Sequence, residues 1–215
     1  MIVIVTMKGI EMKCILSVLS AFIIITSFSG TSYAFTFDKW KSGISYDEAY
    51  RVAEINGIKL RPSGYRGGPD KQLLSREYDD SLMGEFAEIV LFFTPITKKL
   101  CRIYVTWNRS SRIQLISPAQ IDILFDEVKS ILKEKHSNGA STNHRIYQNT
   151  FMCGGIKKGQ AKDVMIRRPD YAVKLSQSVP CKWLTVEYKD MALMRLHDAE
   201  VRHKQGMTSA DYLKF

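Results

Sequence analysis

Two helix starts constrain the fold of this chain more than any other feature. Ser45 is followed three residues later by Glu48, and Ser117 is followed by Pro118 and then by Gln120. A serine that accepts from the free amides of a first helical turn, with a glutamate or glutamine that reaches back, forms a capping box. Proline is favoured at the first helical position. The sequence therefore predicts one helix after Ser45 and a second after Ser117.

Stop signals and apolar spacing support both helices. Asn56-Gly57 is expected to end the first helix, and Asn138-Gly139 the second. A final amphipathic segment, Met191 to Gln205, predicts a third helix that lies across the sheet or along one of its edges. In the second helix, apolar residues at helical spacing are expected to form core: Ile121, Leu124, Phe125, Val128 and Ile131.

Alternating apolar and polar residues predict strands between and after the helices. In the clearest strand, 101–107, the odd-numbered side chains are expected to face the core, and Arg102, Tyr104 and Thr106 to face solvent. Its partner is 88–94, joined to it by a turn around 95–99. Further strands are expected near 73–79 and at 145–152, 163–168 and 182–189. The predicted fold class is α+β, with helices packed on an antiparallel sheet.

The order of elements suggests two tandem units, each a helix followed by three strands. Residues 103–107 and 184–188 have the same apolar alternation at the same place in the two units. The pseudo-repeats would span 40–110 and 113–190. Chance similarity between amphipathic strands is the alternative interpretation.

The beginning of the chain has the pattern of a cleavable export signal at residues 1–34. Lys8 and Lys13 precede an apolar stretch from Ile15 to Phe28, and Ser32-Tyr33-Ala34 supplies small residues where a signal peptidase cleaves. A permanent anchor is the alternative, but polar residues interrupt the apolar run before the length of about 20 residues that a bilayer requires. We therefore expect residues 35–215 to form one compact domain that is periplasmic or secreted, without a stable membrane span.

The chain is basic, with 31 lysines and arginines against 22 acidic residues and a net charge of +9. Such a charge favours anionic partners because it raises encounter rates, although it also serves solubility. No nucleic-acid-binding motif is present, so nucleic acid is not expected as a partner. The candidate basic clusters are Lys98, Lys99 and Arg102; Arg109 and Arg112; and Lys157, Lys158, Lys162, Arg167 and Arg168. Of these, Lys98, Lys99, Arg102, Lys157 and Lys158 are expected to bind an anionic partner.

Three cysteines remain beyond the signal: Cys101, Cys153 and Cys181. In an oxidising compartment, one disulfide and one buried thiol are expected. Cys153 and Cys181 lie in expected turns, which favours their pairing, but sequence alone leaves all three pairings open.

A glycine- and proline-rich segment, 61–71, is expected to be an exposed loop. Tyr65 and Arg66 lie at its centre, and tyrosine and arginine are favoured as interface anchors. They are therefore predicted to form a contact point, with a simple connecting loop as the alternative.

The stretch Trp40 to Ala49, WKSGISYDEA, places a glycine before a capped helix that strands follow. It resembles the opening of small exported domains of the beta-lactamase-inhibitor-like fold, which include outer-membrane assembly lipoproteins. The resemblance implies a helical layer on an antiparallel sheet and a role in protein contacts rather than in chemistry.

The sequence offers little catalytic chemistry. His197 and His203 are six residues apart, which places them on different faces of a helix, so no metal site is expected. No cofactor is expected either. We therefore expect an exported non-catalytic protein that binds an envelope protein or an anionic envelope component. The alternative is a small thiol-dependent hydrolase that uses Cys153 with a histidine such as His144.

Overall fold

The structure is a computed structural model that describes residues 34–63, 74–107, 116–152, 156–180 and 182–204. Several predictions lie outside these residues: the export signal up to residue 33, the contact point at Tyr65 and Arg66, and the pairing of Cys153 with Cys181. No disulfide is present in the part of the chain that the structure describes.

Both predicted capping boxes form, and each begins a helix. Helix α1 spans Tyr46–Ile55 and helix α2 spans Pro118–His136. The Ser45 and Ser117 hydroxyls accept from the third amide of their helices, both at 3.2 Å. α1 ends at Asn56, as predicted, and α2 ends two residues before Asn138. Local sequence therefore determines where both helices begin and places their ends to within two residues.

An eight-stranded antiparallel sheet forms the centre of the fold, which confirms the α+β class. A separate hairpin precedes α1 and pairs β1 with β2, whose bounds are Thr36–Phe37 and Trp40–Lys41. The sheet has the order β3-β4-β5-β6-β10-β9-β8-β7. Its strands are β3 Arg61–Pro62, β4 Leu74–Leu82, β5 Glu85–Phe93, β6 Leu100–Trp107, β7 Ser141–Met152, β8 Ile156–Arg167, β9 Tyr171–Ser178 and β10 Trp183–Asp190.

Strand β9 is absent from the sequence prediction, which assigned only one strand to this part of the chain. The turn at Pro169-Asp170 separates β8 from β9. Proline followed by aspartate is a turn signal that could have divided the two strands. The other predicted strands are present, although β4, β5, β7 and β8 are longer than expected.

Helices cover both faces of the sheet. The main core joins α1 and α2 to one face, through residues such as Ala53, Phe125 and Ile103. Helix α3, Met191–Lys204, packs on the other face against Val90 and Phe92. Among the described helices, none combines the length and the apolarity that a membrane crossing requires.

The prediction that one face of β6 is exposed to solvent is wrong. Arg102 is 6% exposed and Thr106 is 5% exposed, because β6 lies at the centre of the sheet and α3 covers part of that face. Cys101 also departs from the alternation. The register shifts between Phe92 and Phe93, and Cys101 packs with the α3 side instead of with Ile103.

Candidate functional site

An open apolar cleft of about 380 Å³ lies between the end of α2, the β1–β2 hairpin and the β4–β5 turn. Its volume falls in the range of about 300–1,000 Å³ that is usual for ligand pockets. Four polar residues line it: Thr36, Asp38, Lys135 and His136. The apolar lining residues are Phe37, Leu82, Met83, Val105, Trp107, Val128, Ile131, Leu132, Val186 and Tyr188.

The floor of the cleft is the centre of the sheet. Val105 of β6 pairs directly with Val186 of β10, and both side chains are buried. Tyr188, on the same strand as Val186, is 6% exposed, and burial raises the pKa of its hydroxyl. Its hydroxyl therefore stays neutral, and the floor adds no charge to the cleft.

Two exposed apolar side chains stand at the mouth. Met83 is 42% exposed and Ile131 is 38% exposed, so the prediction that Ile131 belongs to the core is wrong. Leu132 takes that place instead, at 3% exposure. At the mouth of the cleft, the side chains of Met83 and Ile131 are therefore apolar and in contact with water.

The turn that carries Met83 is strained. Met83 has φ 57 and the next residue, Gly84, has φ 77, the left-handed pair that a two-residue hairpin requires. Asparagine, aspartate or glycine normally takes the first position, and a bulky side chain there costs on the order of 1 kcal/mol. Strained backbone of this kind clusters at functional sites. Asp38, Lys98 and Lys182 have similar φ values of 51 to 54, and Met83 is the apolar residue among these four.

The polar end of the cleft is positively charged. His136 Nδ1 lies 2.9 Å from the Tyr171 hydroxyl. Burial, with Lys135 and Arg168 nearby, lowers the pKa of His136, so the ring is neutral at neutral pH. Lys135 is exposed and has no ion pair among the described residues, whereas Asp38 is paired with the neighbouring Lys39 at 2.7 Å. Lys135 is thus available to an acidic group of a ligand.

A buried hydrogen bond fixes the hairpin that forms one wall. Trp40 Nε1 donates to the Tyr78 hydroxyl at 2.7 Å, and both residues are buried. The ring of Phe37 packs against Tyr188, with centroids 5.2 Å apart. These contacts join residues distant in sequence, and no local motif indicates them.

The predicted basic residues do not converge on one site. Lys98 is exposed in the β5–β6 turn and Lys99 is half-buried beside it, whereas Lys157 and Lys158 are exposed on β8. Strands β10 and β9 lie between β6 and β8. Arg102 was expected to be exposed, but it is buried, with its Nε 3.1 Å from a Glu187 carboxylate oxygen.

The described residues contain no cluster of three or more potential metal ligands. His144 is exposed on β7, an edge strand of the sheet. Cys153, its predicted partner, lies outside the described residues. Cys101 is a buried thiol that donates to the Phe92 carbonyl at 3.3 Å. It is therefore unsuited to act as a nucleophile, since reactive cysteines are partly exposed.

The cleft thus offers an apolar surface, one cation without an ion pair among the described residues, one carboxylate that pairs with Lys39, and one neutral histidine. Comparisons of the chain with protein-family models, with curated proteins and with solved structures find no match.

Proposed function

We propose that this chain is an exported, non-catalytic binding protein whose apolar cleft receives apolar side chains of a partner polypeptide in the cell envelope. The observation that carries the proposal is the mouth of the cleft. Met83 is held there in a strained turn, and Ile131 stands opposite in the end of a long helix; both are apolar and partly exposed. Ile55 and Ile123 are more exposed, at 84% and 59%, but Met83 and Ile131 line one cleft together.

The shape and charge of the cleft favour a polypeptide over a small molecule. Small-molecule pockets bury about 70–90% of the ligand surface, whereas this cleft is open on one side. Methionine adapts its shape to varied partners and is common on protein-binding surfaces. Lys135 at the polar end complements an acidic residue beside the inserted apolar group.

We propose that the domain consists of two tandem units whose last strands meet at the floor of the cleft. Each half of the chain supplies one helix followed by four strands of the sheet. The last strands of the two halves pair at its centre, with Val105 opposite Val186, the positions that the internal sequence alignment matches. This arrangement supports a pseudo-two-fold axis between β6 and β10, at the floor of the cleft. Each proposed unit then contains four strands, one more than the sequence predicts.

Export of the chain, with cleavage after Ala34 and a disulfide between Cys153 and Cys181, completes the proposal. The mature protein is expected to begin at Phe35 and to be found in the envelope fraction or in the medium. Amino-terminal sequencing of the purified native protein checks it. A protein that keeps residues 1–34 and remains in the cytosolic fraction would contradict the proposed location.

Site-specific photocrosslinking tests the cleft. A photoreactive amino acid replaces Ile131 or Met83, and the control position is Ile123, which lies on the same helix, is 59% exposed and does not line the cleft. Both cleft positions are expected to give the same crosslinked envelope polypeptide, and Ile123 is expected to give none.

Purified proteins then decide whether that contact is specific. Ile131→Glu is expected to weaken binding of the identified partner at least about tenfold, since it places a charge in an apolar contact. Ile123→Glu is expected to leave it unchanged. Equal effects of the two variants, or a crosslink from Ile123 to the same partner, would refute the cleft as the contact site.

A further inference from the structure

A second concavity, of about 240 Å³, lies on strands β8, β9 and β10 beside the first residue of α3. Its lining includes Lys189 and Glu187, and Glu187 contacts Arg102 on the sheet face that α3 partly covers. The concavity therefore opens on that face. Its polar lining carries four cations and one carboxylate: Arg167, Arg168, Lys174, Lys189 and Glu187. The lining of the concavity therefore holds more cations than carboxylates.

The strand register places cations side by side across the sheet. Arg167 of β8 is opposite Ala172 of β9, Ala172 is opposite Lys189 of β10, and Lys189 is opposite Arg102 of β6. Neighbouring strands are about 4.8 Å apart, so the small Ala172 side chain leaves a gap between the two cations that flank it. Like charges on paired strands are destabilising. Glu187 offsets the repulsion between Lys189 and Arg102, whereas Arg167, at the other end of the row, has no such carboxylate among the described residues.

The acids of the surroundings balance these cations only in part. Arg168 has Asp170 at 3.9 Å from its Nε. Glu187 is shared between Arg102 and Lys189, at 3.1 and 3.0 Å. Asp163 is shared between Lys174 at 3.0 Å and Arg145 at 3.8 Å. Arg167 is exposed and forms no ion pair with any described residue. The ammonium-bearing side chains of Lys174 and Lys189 remain about a third exposed, at 29% and 32%.

We propose that this concavity binds a phosphate group, with Arg167 and Lys189 on either side of Ala172 as its principal contacts. Arginine binds phosphate through paired N–H donors, and lysine acts as a mobile point charge. The phosphate belongs either to a soluble phosphate ester or to the headgroup of an anionic lipid. The site is distinct from the apolar cleft and does not depend on its function.

The experiment compares two variants that lose the same charge. Arg167→Gln/Lys189→Gln removes the two cations that flank Ala172. The control, Lys157→Gln/Lys158→Gln, removes two exposed lysines of β8, the strand that also carries Arg167, and neither lysine lines the concavity. Titration calorimetry of the mature protein with glycerol 3-phosphate measures the soluble source. Co-sedimentation with phosphatidylcholine vesicles containing phosphatidylglycerol measures the lipid source, with glycerol 3-phosphate as competitor.

We expect at least one source to bind, and the Arg167/Lys189 double variant to lose about tenfold or more in affinity, as the loss of a charge-assisted contact implies. The Lys157/Lys158 variant should stay within about twofold of the unchanged protein. Binding of the ester alone assigns a soluble ligand, and vesicle binding that the ester displaces assigns the lipid. Equal losses in both variants, vesicle binding that the ester does not displace, or no binding to either source would overturn the proposal.

Discussion

The hydrogen bond between Trp40 and Tyr78 connects the hairpin wall of the cleft to the sheet, and its removal gives a quantitative test. Tyr78 is 3% exposed, Trp40 is fully buried, and Trp40 Nε1 donates to the Tyr78 hydroxyl at 2.7 Å. Tyr78→Phe keeps the ring and leaves the indole N–H buried without that acceptor. An unsatisfied buried donor costs about 1–3 kcal/mol.

We therefore expect Tyr78→Phe to lower the free energy of unfolding by about 2 kcal/mol. For a chain of this size, the melting temperature should fall by about 4–8 °C. Urea denaturation of residues 35–215, followed by tryptophan fluorescence, measures the change. The dependence of the free energy on urea concentration should stay constant, because the surface exposed on unfolding does not change.

Tyr50→Phe is the matched control. The Tyr50 hydroxyl also forms hydrogen bonds, to Tyr46 at 3.1 Å and to Arg76 at 2.7 Å, but Tyr50 is 38% exposed. Water replaces those partners, so the loss should stay below about 0.5 kcal/mol. If Tyr78→Phe destabilises the protein no more than Tyr50→Phe, the hydrogen bond does not hold the hairpin in place and the reasoning is refuted.

Three further perturbations test separate parts of the structure. Stability should fall as the pH drops below about 6.5, because burial lowers the pKa of His136 and the unfolded chain takes up the proton first; urea denaturation between about pH 7 and pH 5 should show a flatter dependence for His136→Gln. Gly159→Ala should cost about 1–3 kcal/mol in thermal unfolding, since its Cβ would lie 3.0 Å from Pro180 Cγ, and an unchanged melting temperature would contradict this packing. Glu187→Gln should cost about 3 kcal/mol in urea denaturation, because it leaves Arg102 buried without this carboxylate, and a loss below about 1 kcal/mol would show that the ion pair is not structural.

The helices could be predicted because their signals are local. The capping boxes at Ser45 and Ser117 act within one turn of helix, and no distant contact is needed to form them. Strand alternation was equally informative for β5, β6 and β10. Alternation alone, however, does not say whether the second face of a strand meets water or another helix, which is why the exposure expected for Arg102 was wrong.

The cleft could not be predicted from sequence because three distant elements assemble it. Phe37, Met83 and Ile131 belong to different hairpins and a helix, and no spacing relates them. Gly84 was the available signal for the β4–β5 turn, but a methionine before it does not follow the usual turn pattern. Its strained conformation becomes visible only when the backbone is known.

The pairing of β6 with β10 has a consequence for how the protein is made. These central strands come from opposite halves of the chain, so the middle of the sheet closes only after the second half has emerged. Contacts between residues far apart in sequence form slowly, because the entropy of closing the long loop is lost before the contacts are gained. The proposed export would therefore require β10 to reach the far side of the membrane before the sheet could be completed.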